Sequence, residues 1–112
     1  MRKFRTVKIF SIEFQYFFQN QSEEVKQKIL WTFRLIEELE WIPIVYFKKL
    51  ISSEGIYEIR IQVGSDIFRI FCFQDGFFIL VTHAIQKKSQ KIHRKEIMKA
   101  IKIKGIYESE KE

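Results

Sequence analysis

The stretch that decides the fold runs from residue 56 to residue 91: Ile56-Tyr-Glu-Ile-Arg-Ile-Gln-Val63, Gly64-Ser65, Asp66-Ile-Phe-Arg-Ile-Phe-Cys-Phe-Gln74, Asp75-Gly76, Phe77-Phe-Ile-Leu-Val-Thr-His-Ala84, then Ile85-Gln-Lys-Lys-Ser-Gln-Lys91. Two glycine-containing pairs divide it into three strand-like runs. In the first run Tyr57, Ile59, Ile61 and Val63 alternate with Glu58, Arg60 and Gln62, which is the period of a strand with one apolar and one polar face. Gly64-Ser65 suits a two-residue type II′ turn, and Asp75-Gly76 suits a type I′ turn. These turns predict three antiparallel strands.

The first turn pairs Val63 with Asp66 and sets Arg60 directly opposite Arg69. The second pairs Gln74 with Phe77 and sets Arg69 opposite Thr82. One face then carries the rows Ile59, Ile70, Val81 and Ile61, Phe68, His83, and takes the helices. The other face carries Glu58, Phe71, Leu80, then Arg60, Arg69, Thr82. A one-residue slip would send the two arginines to opposite faces, so their pairing depends on the turn length. Two facing arginines repel. Either they receive an anion, whose oxygens their guanidinium forks match, or each finds a carboxylate such as Glu58 or Asp66.

Upstream, Thr6 to Phe10 reads as a short strand and Ser11 to Asn20 as a short helix. Ser22 is a good N-cap, with Glu23 and Glu24 where the helix dipole favours negative charge. Val25, Ile29, Phe33 and Ile36 follow at helical spacing, predicting an amphipathic helix that ends near Glu40, before Pro43. Ile42 to Leu50 reads as a connector carrying Lys48 and Lys49. Arg94 to Lys104 reads as a short final helix stopped by Gly105, with an acidic, fraying tail.

The 112 residues suit one domain, residues 1–112, able to bury a single core. Its 46% hydrophobic and 30% charged residues describe a globular chain, and its twelve phenylalanines are mainly core material. A single cysteine, Cys72, leaves no disulfide framework and no cysteine-rich zinc site. No apolar run approaches the roughly 20 residues needed to cross a bilayer, and no signal-peptide core follows the basic start. A soluble, cytoplasmic protein without membrane contact is expected.

The net charge of +6 is concentrated near the C-terminus. Between Lys87 and Lys104 eight lysines and arginines stand against the single acid Glu96. Such a stripe favours a polyanionic partner, nucleic acid before acidic protein, unless it is only a solvated helix face. Of the two histidines, His83 falls on the apolar face and reads as a core residue. His93 lies in the basic cluster, where it is either solvent-exposed or able to serve as general acid, base or phosphate contact. Two histidines without a carboxylate cluster do not make a metal site, and no cofactor motif is present. A sheet with arginines on one face and lysines around it can cleave RNA without a metal. One group activates a ribose 2′-hydroxyl, the arginines stabilise the charged phosphorane, and another group protonates the leaving 5′ oxygen. A lysine can be the base where neighbouring positive charge lowers its pKa.

Tyr46-Phe-Lys-Lys-Leu50, Gly55-Ile-Tyr-Glu-Ile-Arg60, Phe68-Arg-Ile-Phe71, the apolar third strand and Lys87-Lys-Ser-Gln-Lys91 before a helix resemble, in this order, the RelE/ParE superfamily of bacterial toxins, nearest its phage-derived, HigB-like branch. The resemblance covers roughly Val7 to Tyr107. It implies a small α+β, RelE-like fold, with an N-terminal strand and helices on one face of a mainly antiparallel sheet and a short C-terminal helix. It also implies a toxin of a type II toxin–antitoxin system that cleaves mRNA on the ribosome and is held inactive by a cognate antitoxin, in this branch often a helix-turn-helix protein. By resemblance Arg69 contacts the scissile phosphate, and Arg60 is the basic residue of the preceding strand. Lys87, Lys88 and Lys91 form the basic stretch after the last strand, and Lys48 and Lys49 the Lys-Lys-Leu element. Arg60, Arg69, Lys87, Lys88 and His93 are thus the candidate catalytic residues. Lys48, Lys49, Lys91, Arg94 and Lys95 are the candidate RNA contacts. Where the HigB-like pattern continues Thr-Pro, this chain has Ile92-His93, and the general acid and base stay unassigned. Two other readings share the fold: a ParE-type inhibitor of DNA gyrase and a non-catalytic RNA-binding module.

Overall fold

The computed structural model describes residues 2–86, 91, 92 and 94–111. Along these residues the chain forms β1 (Thr6–Ile9), α1 (Ile12–Gln19), α2 (Glu23–Glu38), β2 (Phe47–Lys49), β3 (Ile56–Val63), β4 (Asp66–Asp75), β5 (Phe78–Gln86) and α3 (Arg94–Glu110). The strands form one sheet in the order β1-β5-β4-β3-β2, in which β1 runs parallel to β5 and the other neighbours are antiparallel. The expected α+β architecture is therefore present.

Both N-terminal helices start on serine caps. The Ser11 hydroxyl accepts from the Glu13 N–H at 3.1 Å, and the Ser22 hydroxyl accepts from the Val25 N–H at 3.2 Å, satisfying donors that a helix start leaves without a carbonyl. The far end of α2 has no basic residue of its own. Arg5 supplies one from outside, its guanidinium donating to the carbonyls of Ile36 and Leu39 at 2.6 and 2.7 Å. This ties the segment entering β1 to the helix. Phe14, Val25, Ile29, Phe33 and Ile36 then pack against Ile59, Ile61, Phe68, Ile70, Cys72, Ile79 and Val81 of the sheet.

The first hairpin follows the expected register: Val63 pairs with Asp66, and Arg60 with Arg69. Gly64 holds φ 60° at the first turn position, where a type II′ turn needs a left-handed residue. The second hairpin differs. Gly76 also takes the first turn position, at φ 58°, so the loop is Gly76-Phe77 and Asp75 stays in the strand opposite Phe78. A bulge follows. Phe71 pairs with His83 but Cys72 pairs with Val81, leaving Thr82 as the extra residue on β5. Its hydroxyl lies 3.1 Å from the Phe71 carbonyl.

An extra residue reverses the alternation of a strand, and this corrects the expected rows. Arg69 lies opposite Ile85, not Thr82. His83 leaves the α1/α2 face and joins Phe71 on the other one. That second face is not open. Leu50, Ile56, Phe71, Phe73 and Leu80 form a second core there with Ile97 and Ala100 of α3.

Two further expectations are corrected. The connector over residues 42–50 contains the edge strand β2. The final helix does not stop at Gly105 but continues to Glu110. Tertiary contacts hold these last turns. The Tyr107 ring packs edge-on against Phe10 and Phe73, each at 5.3 Å, and its hydroxyl donates to Asp75 at 2.7 Å. Lys111 pairs with the same carboxylate at 2.8 Å. The Asp75-Gly76 corner, once displaced by one residue, becomes the dock for the C-terminus.

Candidate functional site

On the α3 face of the sheet two rows lie side by side. One is Lys48, Glu58, Phe71, His83; the other is Arg60, Arg69, Ile85. Backbone pairing fixes these neighbours, so the charge arrangement follows directly from register.

Arg69 and Glu58 settle part of the repulsion expected from the facing arginines. Arg69 Nη1 donates to Glu58 Oε2 at 2.6 Å, with both residues buried, 6% and 7% exposed. Of the two outcomes open for an arginine in mid-sheet, Arg69 has the carboxylate. A charge-assisted bond of this length, shielded from water, holds the guanidinium in one orientation.

Arg60 is placed differently. Its backbone N–H donates to the Tyr46 carbonyl at 3.1 Å. Its side chain, half-buried, makes no hydrogen bond or ion pair among the described residues. It lines a groove of about 290 Å³ at the β3 edge with Lys28, Val45, Tyr46 and Gln62. Arg60 is thus a cation beside a fixed, neutralised one.

His83 is fully buried and stacks on Phe71, with ring centroids 4.7 Å apart. Nδ1 lies 3.2 Å from the Thr82 hydroxyl and Nε2 lies 3.1 Å from Glu96 Oε1 on α3. Burial lowers its pKa below the usual histidine value; the bond to Glu96 opposes this and Lys99 adds to it. In the neutral ring Nε2–H donates to Glu96, and Nδ1 then competes with the Phe71 carbonyl for the single proton of the Thr82 hydroxyl. The residue fastens α3 to the sheet, as a core histidine, on the face opposite to the one expected.

The remaining candidates divide. Lys48 and Lys49 are exposed on β2, but successive residues alternate, so Lys48 shares the arginine face and Lys49 does not. Lys91 and Lys95 are exposed. Arg94 donates to the Ser52 carbonyl at 2.6 Å, and Lys104 to the Glu54 carbonyl at 2.6 Å, so both fasten α3 to the loop before β3. Lys87, Lys88 and His93 lie outside the described residues. Sequence reasoning missed Lys28, which joins Arg60 only because α2 passes the β3 edge, and Glu96, which looked like an isolated acid in a basic helix. No signal in local sequence points to either. Among the described residues no cluster of His, Cys, Asp and Glu could hold a metal ion, and no helix is long and apolar enough to cross a membrane.

Residues 16–104 match the family model described as phage-derived protein Gp49-like (DUF891). Among solved structures, the fold is similar to a free-state mutant of the E. coli toxin RelE, with a TM-score of 0.62 and 13% identity, covering 88% of this chain and 95% of that one. No curated protein matches the sequence.

Proposed function

Because the chain belongs to the phage-derived Gp49-like family and carries the fold of the RelE superfamily, we propose that it is the toxin of a type II toxin–antitoxin pair and cleaves mRNA on the ribosome. The observation that carries this reading is the row of Arg60 and Arg69. One guanidinium is held by Glu58, and the other makes no ion pair among the described residues.

In the proposed reaction a ribose 2′-oxygen loses its proton to a base and attacks the adjacent phosphorus. The bond from phosphorus to the 5′ oxygen breaks, and an acid protonates that oxygen. The products are a 2′,3′-cyclic phosphate and a 5′-hydroxyl. Arg60 and Arg69 would stabilise the extra negative charge of the phosphorane, Arg69 in an orientation that Glu58 sets before substrate arrives. Lys87, Lys88 and His93 are the candidates for proton transfer. His83 is not one, being sealed beneath α3. Lys48, Lys91 and Lys95 would bind the RNA backbone, with Lys49 and Arg94 in lesser roles given where they sit. The antitoxin of the same operon, of helix-turn-helix type, is the proposed partner.

The test is expression with and without Arg60→Ala, read by growth and by mapping mRNA ends. Arrest with new 2′,3′-cyclic ends in coding regions, relieved by Arg60→Ala, is the expected result. Arrest with intact mRNA and induction of the DNA-damage response would replace this reading with gyrase inhibition. RNA binding without cleavage on ribosomes would replace it with a binding module.

A further inference from the structure

The free edge of β3 is unfinished in a specific way. β2 covers only Tyr57 to Ile59, and its last contact is the Arg60 N–H to the Tyr46 carbonyl at 3.1 Å. Beyond that point the chain turns away, because the Tyr46 and Phe47 N–H groups both reach the Pro43 carbonyl, at 2.9 and 3.3 Å. β3 continues to Val63. In a two-residue hairpin closed by Val63 and Asp66, residues 63, 61 and 59 direct their backbone groups to β4. The N–H and C=O of Gln62, and the C=O of Arg60, therefore face the unpaired side. An unguarded edge of this kind is a template for another strand.

The surroundings of that edge select what can pair with it. The groove along it is lined by Val45, Tyr46, Lys28, Arg60 and Gln62, and a second depression continues past Trp31 and Val63. The Trp31 and Tyr46 rings meet edge to face at 5.9 Å, and Lys28 Nζ sits 4.6 Å from the Trp31 ring centre. Val45 is 55% exposed and Trp31 is 46% exposed. Apolar walls and two cations thus flank a row of open backbone groups.

We propose that this edge is a docking site for an extended segment of another protein, which adds a strand beside Gln62 and alternates apolar and acidic side chains. The apolar positions rest on Val45 and the Trp31–Tyr46 pair, and the carboxylates meet Lys28 and Arg60. Backbone pairing supplies affinity in this mode and alternate side chains supply selectivity. A second copy of the chain is disfavoured, since pairing two such edges places Lys28 and Arg60 of each copy near those of the other. RNA is a poorer fit because it offers no strand of peptide donors and acceptors to the edge. The proposal does not depend on RNA cleavage, and its test reads binding alone.

The probe is a fluorescein-labelled ten-residue peptide of alternating valine and glutamate. A valine–lysine peptide and an oligouridylate of equal charge serve as comparisons. Fluorescence anisotropy with the full chain should show saturable binding of the glutamate peptide that weakens with salt. Amide exchange should show new protection at Gln62. Lys28→Glu and Val45→Asp, both at partly exposed positions, should each weaken binding by about tenfold while the circular dichroism spectrum stays unchanged. Gln62→Pro, which removes the edge N–H where proline is tolerated, should do the same. Equal binding of the lysine peptide, binding unaffected by all three changes, protection of the Gln62 amide by oligouridylate equal to that by the glutamate peptide, or no saturable binding would each overturn the proposal.

Discussion

Replacing Arg69 by alanine tests the buried pair beneath the proposed phosphate site. The change leaves Glu58 7% exposed in the structure and without the guanidinium at 2.6 Å. Removing one partner of a buried pair typically costs about 3–5 kcal/mol, because the remaining charge stays desolvated. A domain of this size has a total stability of about 5–15 kcal/mol. Each kcal/mol shifts the melting temperature by about 4 °C near this length, so Arg69→Ala should lower it by about 12–20 °C or unfold the protein. Replacing both residues, Glu58→Met with Arg69→Met, removes the stranded charge and should restore most of the loss. Urea melts at neutral pH of wild type, Glu58→Met, Arg69→Met and the double variant give the coupling energy. Arg69→Ala costing under about 1 kcal/mol, or a double variant as unstable as the sum of the singles, would refute the buried pair. The same reasoning changes the activity test. From sequence, Arg69→Ala reads as the natural inactivating variant, but loss of activity there would mix chemistry with unfolding. Arg60→Ala strands no carboxylate among the described residues.

His83 has a pKa lowered by burial, so the folded state resists its protonation. Its contribution to stability is fully present above the unfolded value of 6.5 and is lost as pH falls below that value towards the lower folded one. The melting temperature of wild type should therefore fall between pH 7.5 and 5.5, and His83→Gln should flatten that fall; parallel curves would contradict the assignment. At the other end of α3, Tyr107→Ala should expose the amides of residues 105–110 to fast exchange, whereas Tyr107→Phe keeps the ring contacts and most of the protection. Loss of protection in both would mean the hydrogen bond, not the ring, holds the end of the helix. The Asp75 carboxyl is held below its ordinary value first by Lys111 and then by Tyr107. That clamp should persist as pH falls to the carboxylate range and open only on acidification through the depressed value.

Much of the sheet was legible because its determinants are local. Gly64-Ser65 fixes a two-residue turn, and the pairing of Arg60 with Arg69 follows from counting back three residues on each strand. The serine caps and the spacing of Val25, Ile29, Phe33 and Ile36 likewise act within α2. What failed was non-local. Asp75-Gly76 fits two turn placements, and the one adopted frees Asp75 to receive Tyr107 and Lys111, which lie more than thirty residues away. The bulge at Thr82 has no local signature, yet it alone decides that His83 meets Glu96 and not α2. Gly105 carries a helix-ending tendency worth about 1 kcal/mol, which the docking of Tyr107 outweighs. β2 was hidden because three residues, two of them lysine, show too little alternation. Of the site, the arginine row was visible and its Glu58 partner was nearby in the pattern. Lys28 was not, because only tertiary packing brings α2 to the β3 edge.

The central claim is that the row of Arg60 and Arg69 receives a scissile RNA phosphate, with Arg60 as the contact and Arg69 held beside it by Glu58. Its most direct test is end-mapping of a defined mRNA on translating ribosomes, with purified wild type and purified Arg60→Ala at equal folded concentration. Wild type should leave 2′,3′-cyclic phosphate ends within the coding sequence, and Arg60→Ala should cut about 10²–10³-fold more slowly, the scale of losing one charge-stabilising contact. Intact mRNA with wild type, or equal cutting by a folded Arg60→Ala protein, would contradict it.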